Sequence, residues 1–141
     1  YLDMFSAPVR ALVGVNCLDW EKEYLYTQLQ KMNEKKTIFF CVFEKQKEQL
    51  IGAIEIRDAQ ESRGQLYCWL NEQYWGKGYF SQALSLATKY YFENAKRSWI
   101  SAHVDYMNKR SYYALKKHGF ADECFVLGCQ GKQYRLILRA K

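Results

Sequence analysis

The stretch Gln73-Tyr74-Trp75-Gly76-Lys77-Gly78-Tyr79 decides the fold of this chain. It separates an apolar, strand-like run, Leu66 to Leu70, from a helix-like run, Ser81 to Ala95. Glycine lets the backbone turn tightly and come close to a ligand. The first N–H groups of a helix have no partner within it, and the positive end of the helix dipole lies behind them. A strand, a glycine turn and a helix in this order therefore predict a binding site for phosphate groups.

The segments before the turn predict two helices and then three strands. Apolar residues at helical spacing predict helices over residues 1–15 and from residue 18 to residues 33–36. Runs rich in β-branched and aromatic residues predict strands over residues 37–43, 50–57 and 65–70. Because the loops between these strands are short, the three are expected to form an antiparallel meander.

The segments after the turn predict a crossover and a closing hairpin. A largely apolar helix over residues 79–95 leads to a strand over 98–104, which is expected to lie parallel to the strand before the turn. Asn108 leads into a helix that runs through Lys117 and stops at Gly119. Residues 120–129 and 132–139 read as a hairpin around Gln130-Gly131. Residues 1–141 are thus expected to form a single α+β domain.

Composition and charge argue against several classes of protein. The net charge is +6, but the basic residues are scattered, which favours a solvated surface that attracts an anionic ligand over a nucleic-acid interface. No apolar run reaches the roughly 18 residues of a membrane span. The five cysteines include no Cys-x-x-Cys pair, and Cys124 and Cys129 have no clustered histidine beside them. These features predict reduced thiols, a cytoplasmic location and no metal site.

Two motifs give the chain its resemblance to a known family. Residues 73–78 match the acyl-CoA motif (Gln or Arg)-x-x-Gly-x-(Gly or Ala) of GNAT-superfamily N-acetyltransferases. Asn108-Lys109-Arg110-Ser111 and Lys117-His118-Gly119-Phe120 resemble a second block of the RimJ/RimL-like branch, the ribosomal-protein N-terminal acetyltransferases. The resemblance implies a three-layer fold with a mixed, mostly antiparallel sheet, in which one parallel pair splays apart at the acyl-CoA site. The family fold begins with a strand that has no counterpart here, so we expect an N-terminal truncation or an edge supplied by another chain.

The resemblance also implies transfer of an acetyl group from acetyl-CoA to a primary amine, by direct attack on the thioester. The backbone from Tyr74 to Tyr79 would hold the pyrophosphate, the strand from Cys68 to Asn71 would hold pantetheine, and Asn108 would bond the CoA arm. Lys77, Lys109 and Lys116 are candidates for contacts with CoA phosphates. The full set expected at acetyl-CoA is Cys68, Trp69, Leu70, Asn71, Gln73, Tyr74, Trp75, Gly76, Lys77, Gly78, Tyr79, Asn108, Ser111, Tyr112 and Lys116.

The catalytic residues follow from the same resemblance. Many superfamily members place a proton-donating tyrosine where this chain has Leu115, and in the RimJ/RimL-like branch the serine of the second block takes its role. Ser111 is therefore the candidate acid, with Tyr112 or Tyr113 as substitutes. No motif identifies the base that takes the proton of the amine. The candidates are Glu55, Glu61, Tyr67 and His103.

Several alternatives stay open at this level. The acceptor is a protein N-terminus or a small-molecule amine such as a polyamine or an amino sugar. A non-catalytic acyl-CoA-binding or interaction domain with the same fold is the main alternative to an enzyme, and nucleic-acid binding is a third. The expected partners are acetyl-CoA and an amine, with no nucleic acid and no membrane, in a monomer or a homodimer.

Overall fold

The computed structural model of the chain describes residues 26–27, 30–31, 33–34, 36–47, 49–59, 63–95, 97–128 and 131–140. The predicted helix over residues 1–15 lies outside this part of the chain, as does most of the helix predicted after it. The described positions of that second helix, Tyr26, Thr27, Gln30, Lys31 and Asn33, are helical.

Three strands form the predicted antiparallel meander. They are β1 (Thr37–Glu44), β2 (Gln49–Arg57) and β3 (Gly64–Leu70). The β1–β2 loop is closed by the Glu44 carboxylate, which accepts hydrogen bonds from the N–H groups of Gln46 at 3.3 Å and Lys47 at 2.8 Å. β2 pairs with both neighbours over most of its length, so it is an inner strand with six successive buried residues, 51–56.

The second half of the chain adds two helices and three strands. They are α1 (Tyr79–Ala95), β4 (Trp99–Asp105), α2 (Lys109–Lys117), β5 (Ala121–Gly128) and β6 (Gly131–Arg139). α2 ends as predicted at Gly119, whose φ of 99° is accessible to glycine at little cost. The N–H of Phe120 then bonds back to the carbonyl of Leu115 at 3.1 Å, which satisfies a carbonyl at the helix end.

Within the described residues the strands form one six-stranded sheet in the order β1-β2-β3-β4-β6-β5. The β3–β4 pair is parallel and the other four pairs are antiparallel, so the predicted mixed sheet is confirmed. Many apolar residues of the sheet pack with α1 and α2 in one large cluster, and a smaller cluster of Ile51, Leu70 and Tyr74 lies beside the glycine turn. The fully buried members of the large cluster include Ile56, Leu84, Tyr91, Ile100 and Leu136.

The two parallel strands separate partway along their length. They pair only at Gly64–Ile100, Gln65–Ser101 and Leu66–Ala102. Both strands continue beyond these pairs, β3 to Leu70 and β4 to Asp105. The sheet therefore opens a gap at its centre, as the resemblance implied, and the gap begins at Tyr67 and His103.

In the described part of the chain, no helix has the length and apolarity that crossing a membrane requires.

Candidate active site

The glycine turn sits at the open end of the β3–β4 gap and is anchored on both sides. Asn71 caps a short 3₁₀ turn (Glu72–Tyr74), with its Oδ1 accepting from the N–H of Gln73 at 3.1 Å. Tyr74 is buried, and its hydroxyl donates to Gln49 at 2.9 Å. Trp75 donates its indole N–H to the carbonyl of Leu70 at 2.7 Å. These contacts position the turn before any ligand arrives.

The two glycines of the turn adopt the conformation that glycine tolerates best. Gly76 has φ 72° and Gly78 has φ 85°, both in the left-handed region. A side chain there would cost roughly 1–2 kcal/mol per residue. The carbonyl of Gly78 then accepts the first bond of α1, from the N–H of Gln82 at 3.1 Å.

The turn exposes an uninterrupted series of backbone donors. The N–H groups of Tyr74 and Trp75 are used within the 3₁₀ turn, by Asn71 and Glu72. From residue 76 to residue 81, no backbone N–H has an acceptor among the described residues. The free donors thus begin two residues later than predicted and extend into the first turn of α1. Six consecutive donors at a helix N-terminus are suited to an anion with several oxygens.

Two cations flank these donors. The Lys77 ammonium lies 5.5 Å from the centroid of the Tyr74 ring, and the Arg110 guanidinium lies 4.3 Å from that of Trp75. Arg110 was not among the predicted site residues, although it stands inside the Asn108–Ser111 block. Only the packing of α2 against the turn reveals its position, because no sequence pattern relates residues 75 and 110.

The strand before the turn contributes backbone rather than reactive side chains. Trp69 and Leu70 are buried, and the N–H of Asn71 donates to the carbonyl of Ile51 at 2.7 Å. Burial raises the pKa of the Cys68 thiol to about 12, so it stays protonated at neutral pH and is a poor nucleophile. Beyond Leu66 no pairing with β4 is recorded, so this edge of β3 faces the gap.

Ser111 lies on the other side of the gap, in the first turn of α2. Asn108 is the N-cap, and its Oδ1 accepts from the backbone N–H of Ser111 at 3.1 Å. The Ser111 hydroxyl is half-buried and has no hydrogen-bond partner among the described residues. Its backbone is therefore held while its hydroxyl stays available as a donor.

Three other predicted ligand residues already bind protein groups. The Tyr112 hydroxyl lies 3.2 Å and the Lys116 ammonium 2.6 Å from the same Asp122 oxygen, and these contacts raise the pKa of both groups. Lys109 donates to the hydroxyl of Tyr134 at 2.6 Å, which raises the pKa of the lysine. A CoA phosphate would have to compete with these partners, so their predicted contacts remain predictions.

The candidate bases occupy a row across the sheet, on the face away from the apolar cluster. Glu55 is the register partner of Tyr67. The Glu55 carboxylate is 4% exposed and binds Arg57 through both oxygens, at 2.9 and 3.2 Å. Arg57 also lies 3.5 Å from the centroid of the Tyr67 ring, whose pKa is raised by burial. Glu61 lies outside the described residues.

His103 lies across the gap from Tyr67 and is more accessible. Its Nδ1 is 3.2 Å from the amide nitrogen of Gln65. Burial lowers the pKa of His103, as do the nearby charges of Arg135 and Arg63. The imidazole is therefore neutral at pH 7 and can accept a proton.

Comparison with known proteins identifies the family of the chain. The family model described as "Acetyltransferase (GNAT) domain" matches residues 8–121. No curated protein sequence matches the chain.

Among solved structures, ribosomal-protein-S5-alanine acetyltransferase from Vibrio fischeri has a TM-score of 0.74 at 19% identity, over 84% of this chain and 69% of that one. A putative ribosomal-protein-serine acetyltransferase from Vibrio cholerae has a TM-score of 0.74 at 19% identity, over 84% of this chain and 72% of that one. A spermidine N-acetyltransferase variant from Vibrio cholerae has a TM-score of 0.71 at 20% identity, over 84% of this chain and 73% of that one. At such identities these likenesses establish the fold.

The family match covers most of the chain, and it includes the glycine turn, the strands that splay and α2. The predicted resemblance is confirmed: the chain belongs to the GNAT family of N-acetyltransferases.

Proposed function

We propose that this chain transfers the acetyl group of acetyl-CoA to a primary amine at the gap between β3 and β4. The observation that supports this most strongly is the run of six free backbone donors at residues 76–81, directly beside that gap. Arg110 and Lys77 add positive charge at the same place. Donors and cations together suit a diphosphate, and the gap can receive the chain attached to it.

Acetyl-CoA would supply an activated acetyl thioester. The part of β3 that lies beyond its last register pair with β4, at Leu66, would align the thioester, and a backbone N–H there would stabilise the negative charge on its oxygen. Ser111 would donate its hydroxyl proton to the departing sulfur as the C–S bond breaks, and would regain a proton from solvent, so that CoA leaves as the free thiol. The neutral, protonated Cys68 favours direct transfer to the amine over an acetylated cysteine.

We propose His103 as the base that takes the amine proton. Its imidazole is accessible, neutral at pH 7 and placed where the strands begin to separate. The Glu55 carboxylate lies in the same row but is buried and bound at both oxygens by Arg57. We therefore assign Glu55 and Arg57 to the support of the Tyr67 ring, and the proton transfer to His103, directly or through one water.

We also propose a cytoplasmic location and assembly as a monomer or a homodimer. Cys41, Cys68 and Cys124 are free thiols in the described part of the chain, which supports a reducing compartment.

Release of free thiol from acetyl-CoA, measured with a panel of amines, tests the proposed function. Amine-dependent release in the wild type and its loss in Ser111→Ala would support it. Calorimetric binding of acetyl-CoA without thiol release on any amine would instead identify a non-catalytic acyl-CoA-binding domain and refute the enzyme.

A further inference from the structure

Two arginines share one carboxylate beside His103. The Nε of Arg135 bonds to Oε2 of Glu123, and Nη1 of Arg63 lies 4.0 Å from the same oxygen. These side chains are partly exposed: Arg63 retains 36% of its accessible surface, and Arg135 and Glu123 retain 27% each. We call Arg63, Glu123 and Arg135 the arginine trio. It carries one more positive charge than negative, and solvent reaches all three members.

The trio lies next to the proposed base. Arg135 is the register partner of His103 in the β4–β6 pair, so their Cα atoms are about 4.5–5.5 Å apart. Arg63 directly precedes β3, whose Gln65 contacts the His103 ring at 3.2 Å. Both arginine charges act on the imidazole electrostatically, which supports their proximity.

A further cation extends the positive region. Trp99 occupies the same face of β4 as His103, four residues earlier. Arg63 lies 4.8 Å and Arg139 5.9 Å from the centroid of its ring. Arg139 thus adds a third guanidinium group to this sheet face, beside Trp99 and separate from the Glu123 carboxylate.

We propose that the arginine trio selects the acceptor: the substrate is an amine with a carboxylate or phosphate close to its amino group. This inference rests on the proposed acetyl transfer. Guanidinium groups bind carboxylate and phosphate through two parallel N–H donors, and Arg63 has a donor to spare because it only approaches Glu123 at 4.0 Å. A polyamine would instead meet an excess of positive charge here, since the trio's single carboxylate is already shared by two arginines.

Matched pairs of acceptors that differ only in the anion test this inference. The first pair is a peptide with aspartate at its second position and the same peptide with asparagine. The second pair is O-phosphoethanolamine and ethanolamine. We expect kcat/KM to be about tenfold or more higher for the anionic member of at least one pair. The pair that shows this difference identifies the anion, carboxylate or phosphate, that the trio recognises. Spermidine is expected to be a poorer acceptor than that anionic member.

Variants of the trio separate substrate selection from structural support. Arg135→Gln and Arg63→Gln are expected to reduce the anionic-to-neutral ratio toward one, with both rates measured well above pH 6.5 so that His103 is neutral in every variant. Arg135→Lys is expected to retain part of the preference. Glu123→Gln is expected to raise the ratio, because it frees both arginines, whereas a purely structural glutamate would lower all activities together.

Equilibrium binding keeps the inference testable if turnover fails. Calorimetry of the same amine pairs on the CoA-saturated protein measures the preference for the anionic amine without any turnover. A failure of acetyl transfer can therefore be distinguished from a failure of the acceptor preference. A wild type that binds the neutral members or spermidine as tightly as the anionic ones would overturn the inference. An unchanged ratio in both Arg135→Gln and Arg63→Gln, with normal binding of CoA, would do the same.

Discussion

The hydroxyl of Tyr91 accepts a hydrogen bond from the backbone N–H of Gly64 at 2.9 Å. The same hydroxyl lies 3.4 Å from the carbonyl of Trp99, to which it donates. One fully buried side chain of α1 thus ties the first residue of β3 to the first residue of β4. Gly64 leaves room for it, since an added Cβ would lie 2.9 Å from the Tyr91 hydroxyl. This link holds the strands together at one end, while at the other they separate to form the site.

Removal of the Tyr91 hydroxyl is expected to weaken the closed end of the gap. Tyr91→Phe leaves the N–H of Gly64 without its acceptor in a buried position, which typically costs about 1–3 kcal/mol. Urea unfolding of the variant measures the loss. Tyr90→Phe, at the neighbouring and 47% exposed position, is the matched control and is expected to stay within about 0.5 kcal/mol of the wild type. Equal stabilities for the two variants would refute the role of this bond.

Substitution of Gly78 is expected to weaken the binding of acetyl-CoA, although there is room for an added Cβ. Gly78 has φ 85°, so Gly78→Ala strains the backbone by roughly 1–2 kcal/mol and disturbs the donors of residues 76–81. We expect its Kd for acetyl-CoA, measured by calorimetry, to rise about tenfold.

Gly131→Ala provides the control for strain alone. Gly131 also has positive φ, 120°, and an added Cβ would meet nothing within 4 Å, but it lies in the β5–β6 hairpin. The Gly131 variant is expected to lose stability and retain its affinity for acetyl-CoA. A similar loss of affinity in both variants would show that the turn has no special part in binding.

The Ser111 hydroxyl is expected to affect turnover and not folding. Ser111→Ala keeps the cap, because Asn108 accepts from the backbone N–H and not from the side chain. We expect kcat to fall by about 10²-fold, the lower range for a positioned proton donor, with Tm and the Kd for acetyl-CoA unchanged. Tyr112→Phe and Tyr113→Phe are assayed beside it. A large loss of kcat in either phenylalanine variant, with full activity in Ser111→Ala, would transfer the role to that tyrosine.

The pH dependence of kcat/KM distinguishes the two main candidate bases. Because burial and then Arg135 and Arg63 lower the pKa of His103 below 6.5, its imidazole is neutral above that pH and becomes charged only in more acidic solution. Activity that requires the neutral ring should therefore fall on the acid side with an apparent pKa below 6.5. His103→Gln is expected to remove this limb and lower the plateau, whereas Glu55→Gln should retain it. Loss of the limb in Glu55→Gln alone would identify Glu55 as the base.

Much of this fold is local and could be predicted from sequence. Runs such as 50–57 and 65–70 lie within strands, and the glycines of residues 73–78 lie where their freedom is needed. Gly119 ends its helix for the same reason. The parallel β3–β4 pair follows from the length of the connection alone, since a crossover helix joins them.

The remaining features depend on tertiary packing. The position of Arg110 over Trp75 requires α2 to pack beside a turn more than thirty residues earlier in the chain. The contact of Lys116 with Asp122 depends on the direction in which the chain turns from the end of α2 into β5. The arginine trio needs the register of β6 against β4 and β5, which a pattern of alternating residues does not determine.

A crystal structure of the chain with bound CoA tests the central claim most directly. We predict diphosphate oxygens within about 2.7–3.2 Å of backbone nitrogens in residues 76–81, and the sulfur between β3 and β4 within hydrogen-bonding reach of the Ser111 hydroxyl. Density for CoA that leaves these nitrogens unbound, or that places the sulfur outside the gap, would contradict the account.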